Sequence, residues 1–372
     1  MGHVSVGHAE WRWIAAVFLL AAGSSLTAIT VGSMMGVPTQ EIYSGYFISI
    51  WLVAPPTVIL ALVFVLARSM VMRVKRPLTD CRPFLVAKFG CPDRAVGTIG
   101  PIVLIPVLMA AFGTLKQVMP LARPFTWDDT FAEWGRMLFL GFHPWQLTHA
   151  VFGSPIATLL LDRIYAAWVP LLFFAVLGVS LFAPPYLRAR FVLSFALAWL
   201  LIGVVGAFVF ASAGPCYSAL IGASSAPDYA ELMARLHAID QAGYVLGSLE
   251  WQDHLWAAHS ERKYGFALGI SAMPSMHNAV CCLYVLATGR AKFLLRVGAR
   301  IFAAAIFIGS VHLGWHYFVD GLFAWVAATA VWWLAGLYLR RVGYPSVGDV
   351  SKQPGIASTG VGTSSPPDLV TA

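Results

Sequence analysis

Apolar and polar positions alternate along this chain in long blocks. Eight stretches approach the roughly 20 apolar residues that a membrane-crossing helix needs. They lie at about 13–35, 45–67, 96–118, 165–183, 191–212, 274–289, 297–313 and 316–339. The sixth and seventh are short, as spans packed inside a bundle tolerate. Arg12 before Ala21-Ala22-Gly23-Ser24 has the outline of a signal peptide, but the apolar run continues to Met35, which predicts a retained helix. Two long interruptions, about 119–164 and 213–273, are rich in Trp, Tyr and Phe with scattered charges, the pattern of helices lying along a membrane interface. In the second, Asp228, Leu232, Met233, Leu236 and Ile239 recur at helical spacing and predict an amphipathic helix over 228–241. Beyond Arg341 the chain turns to Ser, Thr, Gly and Pro with few large apolar residues, which predicts a disordered tail.

The expected fold is therefore an all-α polytopic integral membrane protein with about eight transmembrane helices. Residues 1–95 hold two N-terminal spans and a basic loop, 96–341 the remaining six spans, and 342–372 the tail. Charge placement orients them. Arg68, Arg73, Lys75, Arg76, Arg82, Lys88 and Arg94 share one loop; Arg188 and Arg190 join spans four and five; Arg290, Lys292, Arg296 and Arg300 join six and seven; Arg340, Arg341 and Lys352 follow span eight. With Arg12 these make seventeen of the 24 basic residues, all on one side if there are eight spans. By the positive-inside rule both termini are cytoplasmic and the two long loops face the periplasm, the exterior or an organelle lumen.

Composition narrows the class further. Of 372 residues 59% are hydrophobic and 11% charged, against roughly 25% charged in a soluble protein, and the mean hydropathy is +0.75. Too few charges remain to cover a water-soluble surface, which excludes a soluble enzyme, a secreted disulfide scaffold and a disordered hub. The net charge of +7 needs no nucleic-acid partner, because orientation and anionic lipid account for it. Cys81, Cys91, Cys216, Cys281 and Cys282 show neither zinc spacing nor a disulfide framework.

Ionisable groups are costly inside spans and so mark candidate sites. They gather in two places: Pro274-Ser275-Met276-His277 at the start of span six, and His312, His316 and Asp320 around the junction of spans seven and eight. A cytoplasmic loop joins spans six and seven, so the topology brings both clusters to the outer face. On the first turns of span eight, His316 and Asp320 would share one face, letting Asp320 fix the tautomer of an imidazole whose other nitrogen is a base or nucleophile. His277, from another helix, could protonate a leaving group. Pro274 suits a first helical turn, where Ser275 and free amides offer donors to an anion. Together these make a phosphoryl-transfer site.

Pro274-Ser275-Met276-His277 followed by His316-Tyr317-Phe318-Val319-Asp320 resembles the second and third signatures, PSxH and SRxxxxxHxxxD, of the type 2 phosphatidic-acid phosphatase superfamily. Ile270-Ser271-Ala272-Met273 before the first cluster looks like the branch containing inositol-phosphorylceramide synthases. So do Pro124-Phe125-Thr126-Trp127-Asp128, His143-Pro144-Trp145 and Asp162-Arg163-Ile164-Tyr165. The resemblance covers roughly 110–340. It implies a six-helix catalytic core, a phosphohistidine on His316, Asp320 as its orienter, His277 as acid, and neither metal nor cofactor. The expected partners are a lipid substrate within the bilayer and an alcohol or lipid acceptor.

Two departures bear on the reaction. Gly309-Ser310 replaces the Ser-Arg pair of the third signature, removing a phosphate-holding arginine and favouring a transferase-type relative. The stretch Ser212-Ala213-Gly214-Pro215-Cys216-Tyr217, where the first signature KxxxxxxRP should fall, holds no cation. Lys116 to Arg123-Pro124 fits that pattern one hairpin earlier, and Arg262 and Lys263 precede Ser275 by about a dozen residues. With Ser275, these four cations are the candidate phosphate ligands, against the plainer role of interfacial anchors. His312 is a possible accessory group; His143, His149, His237, His254 and His259 read as structural. Two other classes stay open. His312, His316 and Asp320 at i, i+4 and i+8 could hold zinc or iron, though no HExxH pattern is present. A non-catalytic transporter would instead want midplane carboxylates.

Overall fold

The computed structural model describes residues 6–48 and 88–344, with the isolated positions 55, 59, 63 and 86 between them. Most of the expected second span, most of the basic loop (Arg68, Arg73, Lys75, Arg76 and Arg82 with it) and nearly all of the expected tail lie outside the described residues. What is described is all-helical. Six helices are long and apolar enough to cross a membrane: Ala9–Met34, Pro92–Ala122, Pro155–Phe182, Pro185–Val209, Phe293–His312 and Phe318–Arg341; Met276–Thr288 is a shorter apolar one.

In chain order, α1 is Val6–Met34 and α2 Pro92–Ala122. The first long loop folds into α3 (Asp128–Leu138) and α4 (Pro144–Phe152) before α5 (Pro155–Ala166) runs into α6 (Trp168–Phe182). Then come α7 (Pro185–Leu197), continued by a π-helical stretch Ala198–Gly206, and the second loop's α8 (Ala226–Gln241) and α9 (Gly247–Ser260). Last are α10 (Met276–Thr288), α11 (Phe293–His312) and α12 (Phe318–Arg341). Pro92, Pro144, Pro155 and Pro185 open their helices, where the missing N–H is no loss and φ is preset. The amphipathic pattern at 228–241 is the body of α8.

The fourth span starts ten residues before its predicted position. Asp162 and Arg163 interrupt the hydropathy run, yet the helix passes through them. Ser154 caps it by accepting from the Ala157 N–H at 3.3 Å. The Asp162 carboxylate is buried and accepts the Gly247 and Ser248 N–H groups at 3.1 and 2.8 Å. A carboxylate that neutralises the open N-terminus of α9 is satisfied by protein, so it no longer opposes burial.

At the opposite end of the bundle, buried Glu10 of α1 pairs with buried Arg188 of α7 at 2.8 Å. Glu10 also accepts from Trp13 Nε1 at 2.7 Å and the Tyr344 hydroxyl at 2.6 Å, and Arg188 donates to Thr98 Oγ1 at 3.2 Å. This network ties α1, α2, α7 and the residues after α12 together. The core between them holds Trp13, Leu108, Phe191, Phe195, Leu283 and Ile306, all nearly inaccessible.

Candidate active site

The site lies where the starts of α10 and α12 meet. α11 ends at His312, and Gly314, at φ +75°, takes the left-handed turn that stops it. Tyr317 then caps α12. His316 therefore precedes the helix rather than sitting on its first turn, which corrects the expectation of a shared helical face. Asp320, at the third helical position, accepts the Tyr317 N–H at 3.0 Å and, with the same Oδ2, faces His316 Nδ1 at 3.3 Å. One oxygen thus caps the helix and fixes the imidazole, while Oδ1 is buried with no partner. The His316 N–H donates to the Ser310 carbonyl at 3.0 Å, anchoring the turn to α11.

From the other side, Ser275 caps α10, accepting from the Asn278 N–H at 3.4 Å and Asn278 Nδ2 at 3.1 Å. Its own N–H donates to the Asp320 carbonyl at 3.4 Å, so the two helix starts are joined directly. His277, on the first turn, brings its ring centre to 6.0 Å from that of His316. It is packed between Tyr165, at 4.6 Å and 19°, and Trp168, at 4.0 Å. The π-helical stretch supports this corner: a Cβ on Gly206 would stand 3.0 Å from Pro274. Such stretches recur at functional sites.

The two long loops roof the site. Buried Asp128 accepts from the Ala213 N–H, from the Gly214 N–H at 2.8 Å and from the Tyr317 hydroxyl at 3.0 Å. Burial pushes its carboxyl above the usual range, partly offset by those hydrogen bonds. Gly214, at φ +110°, brings the chain against the Trp315 carbonyl, where a Cβ would sit 2.7 Å away. Asp129 holds the Ser224 N–H at 3.2 Å and the Ser225 N–H at 2.8 Å. Burial opposes its charge, but these bonds outweigh it and hold the carboxyl down at about 2. A narrow cavity of about 10 Å³ beside His316 is lined by Phe131, Trp145, Tyr229, Tyr317 and Phe318, room for about one water.

The proposed cations part company. Lys116, near the site end of α2, lies within electrostatic reach of His277, and its neighbour Gln117 clasps Gly265 with bonds of 3.0 and 2.9 Å. Arg123 instead sits 5.8 Å over the Phe208 ring. Arg262 and Lys263 line a separate open pocket of about 510 Å³ with Glu41 and His254, and Lys263 pairs with Glu261 at 2.5 Å. His312 turns away: its ring stacks on His149 at 3.8 Å and its Nε2 meets Thr158 Oγ1 at 3.0 Å. The run of i, i+4 and i+8 on one helix, which supported a metal site, does not exist, since α11 and α12 are separate. Among the described residues no group of three or more His, Cys, Asp or Glu could hold a metal ion. Tyr165, Trp168 and Asn278 had been given no role from sequence, because aromatic and amide residues in apolar runs carry no ionisable signal.

The family model of the PAP2 superfamily matches residues 129–334, more than half of the chain. No curated protein and no solved structure matches.

Proposed function

This chain belongs to the PAP2 superfamily, whose members are phosphoryl-transfer enzymes, and on that premise we propose that it moves a phospho-headgroup from one membrane lipid to an alcohol through a phosphohistidine. The observation that carries the reading is the pairing of an Asp-held His316 with His277 at 6.0 Å between ring centres. A phosphorus about 3–3.5 Å from the attacking nitrogen leaves its departing oxygen within about 3 Å of a second imidazole at that spacing. His316 Nε2 attacks phosphorus, an N–P bond forms and the P–O bond to the lipid alkoxide breaks. His277 gives its proton to that oxygen. The acceptor hydroxyl then loses its proton to His277 and attacks the phosphohistidine, which returns His316 to its starting state. Asp320 keeps the Nδ1 proton in place and balances the positive charge that builds on the ring. Lys116 is the cation best placed to meet phosphoryl oxygens.

Transfer is favoured over hydrolysis by the oily outward loops and by Gly309-Ser310 in place of Ser-Arg. Hydrolysis of a lipid or polyprenyl phosphate is the second reading, supported by the same cluster with water as acceptor. The site is assigned to the outer or lumenal face, with both termini cytoplasmic. A single cysteine near residue 240 should label from outside intact cells and one near residue 294 should not; the reverse pattern would overturn the orientation. Phosphorus NMR of the purified protein with phospholipids and candidate alcohols tests the reaction. A new phosphodiester that needs the acceptor is expected, whereas free phosphate alone would replace transfer with hydrolysis.

A further inference from the structure

One buried donor beside the reacting groups has no use so far. Tyr165 is 6% exposed and its hydroxyl has no hydrogen-bond partner. A buried hydroxyl left unpaired destabilises the fold, so its presence there calls for a reason. Its ring lies against His277, and its hydroxyl is within electrostatic reach of Asp320. The same ring borders Gly309, whose added Cβ would meet Tyr165 Cδ2 at 3.4 Å. Gly309 and Ser310 stand where the third signature would carry Ser-Arg, and Tyr165 packs against Gly309, one residue before the position of that arginine.

The Ser310 side chain is already engaged, and the other unpaired donors nearby are the indole N–H groups of Trp168 and Trp315. The Ser310 hydroxyl donates to the Phe307 carbonyl at 2.8 Å and accepts from Asn278 Nδ2 at 3.3 Å. Arg123, Arg262 and Lys263 are engaged elsewhere. The indole N–H of Trp168, on the other side of His277, points from a different helix turn than the Tyr165 hydroxyl and is likewise buried without a partner. In phosphoryl transfer the negative charge spreads over three equatorial oxygens, and fixed donors aimed at them lower the barrier without reorganising.

We propose that the Tyr165 hydroxyl donates a hydrogen bond to a phosphoryl oxygen as phosphorus moves onto His316, from beside the position where the signature carries an arginine. The phenol keeps its proton throughout, and its unpaired state in the free protein is the cost of a donor prearranged for the transition state. This rests on the phosphoryl-transfer reading above.

Vanadate, which takes up the five-coordinate geometry of the transition state, separates the two claims. Full-length protein in nanodiscs would be titrated with vanadate as wild type and as Tyr165→Phe, which keeps the ring on His277 and removes only the hydroxyl. The expected result is vanadate affinity weakened about 10- to 100-fold, the range for a lost hydrogen bond to a charged group. The melting temperature should be unchanged or raised, because an unpaired buried hydroxyl has gone. A purely structural tyrosine would lower stability and leave vanadate affinity alone. Equal binding by both proteins would overturn the Tyr165 assignment and leave the phosphoryl-transfer reading standing. Failure of the wild type to bind vanadate would overturn that reading, and this proposal with it. Should Tyr165→Phe not fold, difluorotyrosine at 165 keeps ring and hydroxyl with a more acidic donor. Vanadate should then bind more tightly, and unchanged affinity would refute the assignment.

Discussion

Asp320→Asn isolates the charge of the orienting carboxylate from its geometry. Both hydrogen bonds to Asp320, from His316 Nδ1 and the Tyr317 N–H, fall on Oδ2, while Oδ1 has no partner. An asparagine can place its carbonyl oxygen at the Oδ2 position and keep both, so helix cap and imidazole orientation survive. What disappears is a negative charge 3.3 Å from the ring that becomes positive as phosphorus is attacked. At an effective dielectric of about 20, a full charge pair at that distance is worth about 5 kcal/mol, and half-developed charge about 2–3 kcal/mol. That predicts kcat lowered by about 10²-fold with the melting temperature nearly unchanged. Turnover of a fluorescent lipid phosphate in detergent micelles, beside a thermal unfolding scan, reads both. Asp320→Ala should lose comparable activity and also about 1 kcal/mol of stability, since the Tyr317 N–H loses its cap. Asp320→Asn activity within threefold of wild type would refute the charge argument, and a loss matched by unfolding would reassign Asp320 to structure alone.

Three further outcomes are expected. His277→Ala should abolish turnover of alkyl phosphate esters yet retain much of the rate with p-nitrophenyl phosphate, whose leaving group needs no proton; equal losses on both substrates would remove His277 as the acid. Arg188→Ala should destabilise the bundle by about 3–5 kcal/mol, because it strands buried Glu10, whereas Arg188→Met with Glu10→Leu should recover most of that in thermal unfolding. The Asp129 carboxyl, held near 2 in the fold against an ordinary 3.8, stabilises the folded state above its unfolded pKa and loses that stabilisation as pH falls toward 2. Melting temperatures between pH 5 and pH 2 should therefore fall more steeply for wild type than for Asp129→Asn; parallel curves would dismiss the tie between the two loops.

That His277, His316 and Asp320 come together is legible in the sequence because histidines and an aspartate in apolar surroundings are conspicuous. The long apolar runs also locate the spans that the structure describes. Other features were hidden for physical reasons. A helical reading of 312–320 fails because Gly314 adopts a left-handed turn, and a local backbone choice leaves hydropathy untouched. The fourth span was begun too late because Asp162 looks costly until its partners, 85 and 86 residues away, are known. Four cations are candidates by sequence, and only the path of the chain separates Lys116, near the site end of its helix, from Arg123 over Phe208. Tyr165 enters the sequence reading only within Asp162-Arg163-Ile164-Tyr165, and its unpartnered hydroxyl is something only packing reveals.

The phosphohistidine is the claim on which the reaction rests, and trapping it is the direct measurement. The purified protein would be mixed with a phosphate-labelled lipid, quenched in alkali within the first turnovers, digested, and read by mass spectrometry. Label on His316, stable in base, lost in acid and absent from His316→Ala, is the predicted result. Label on another residue, or unchanged turnover by His316→Ala, would contradict the account.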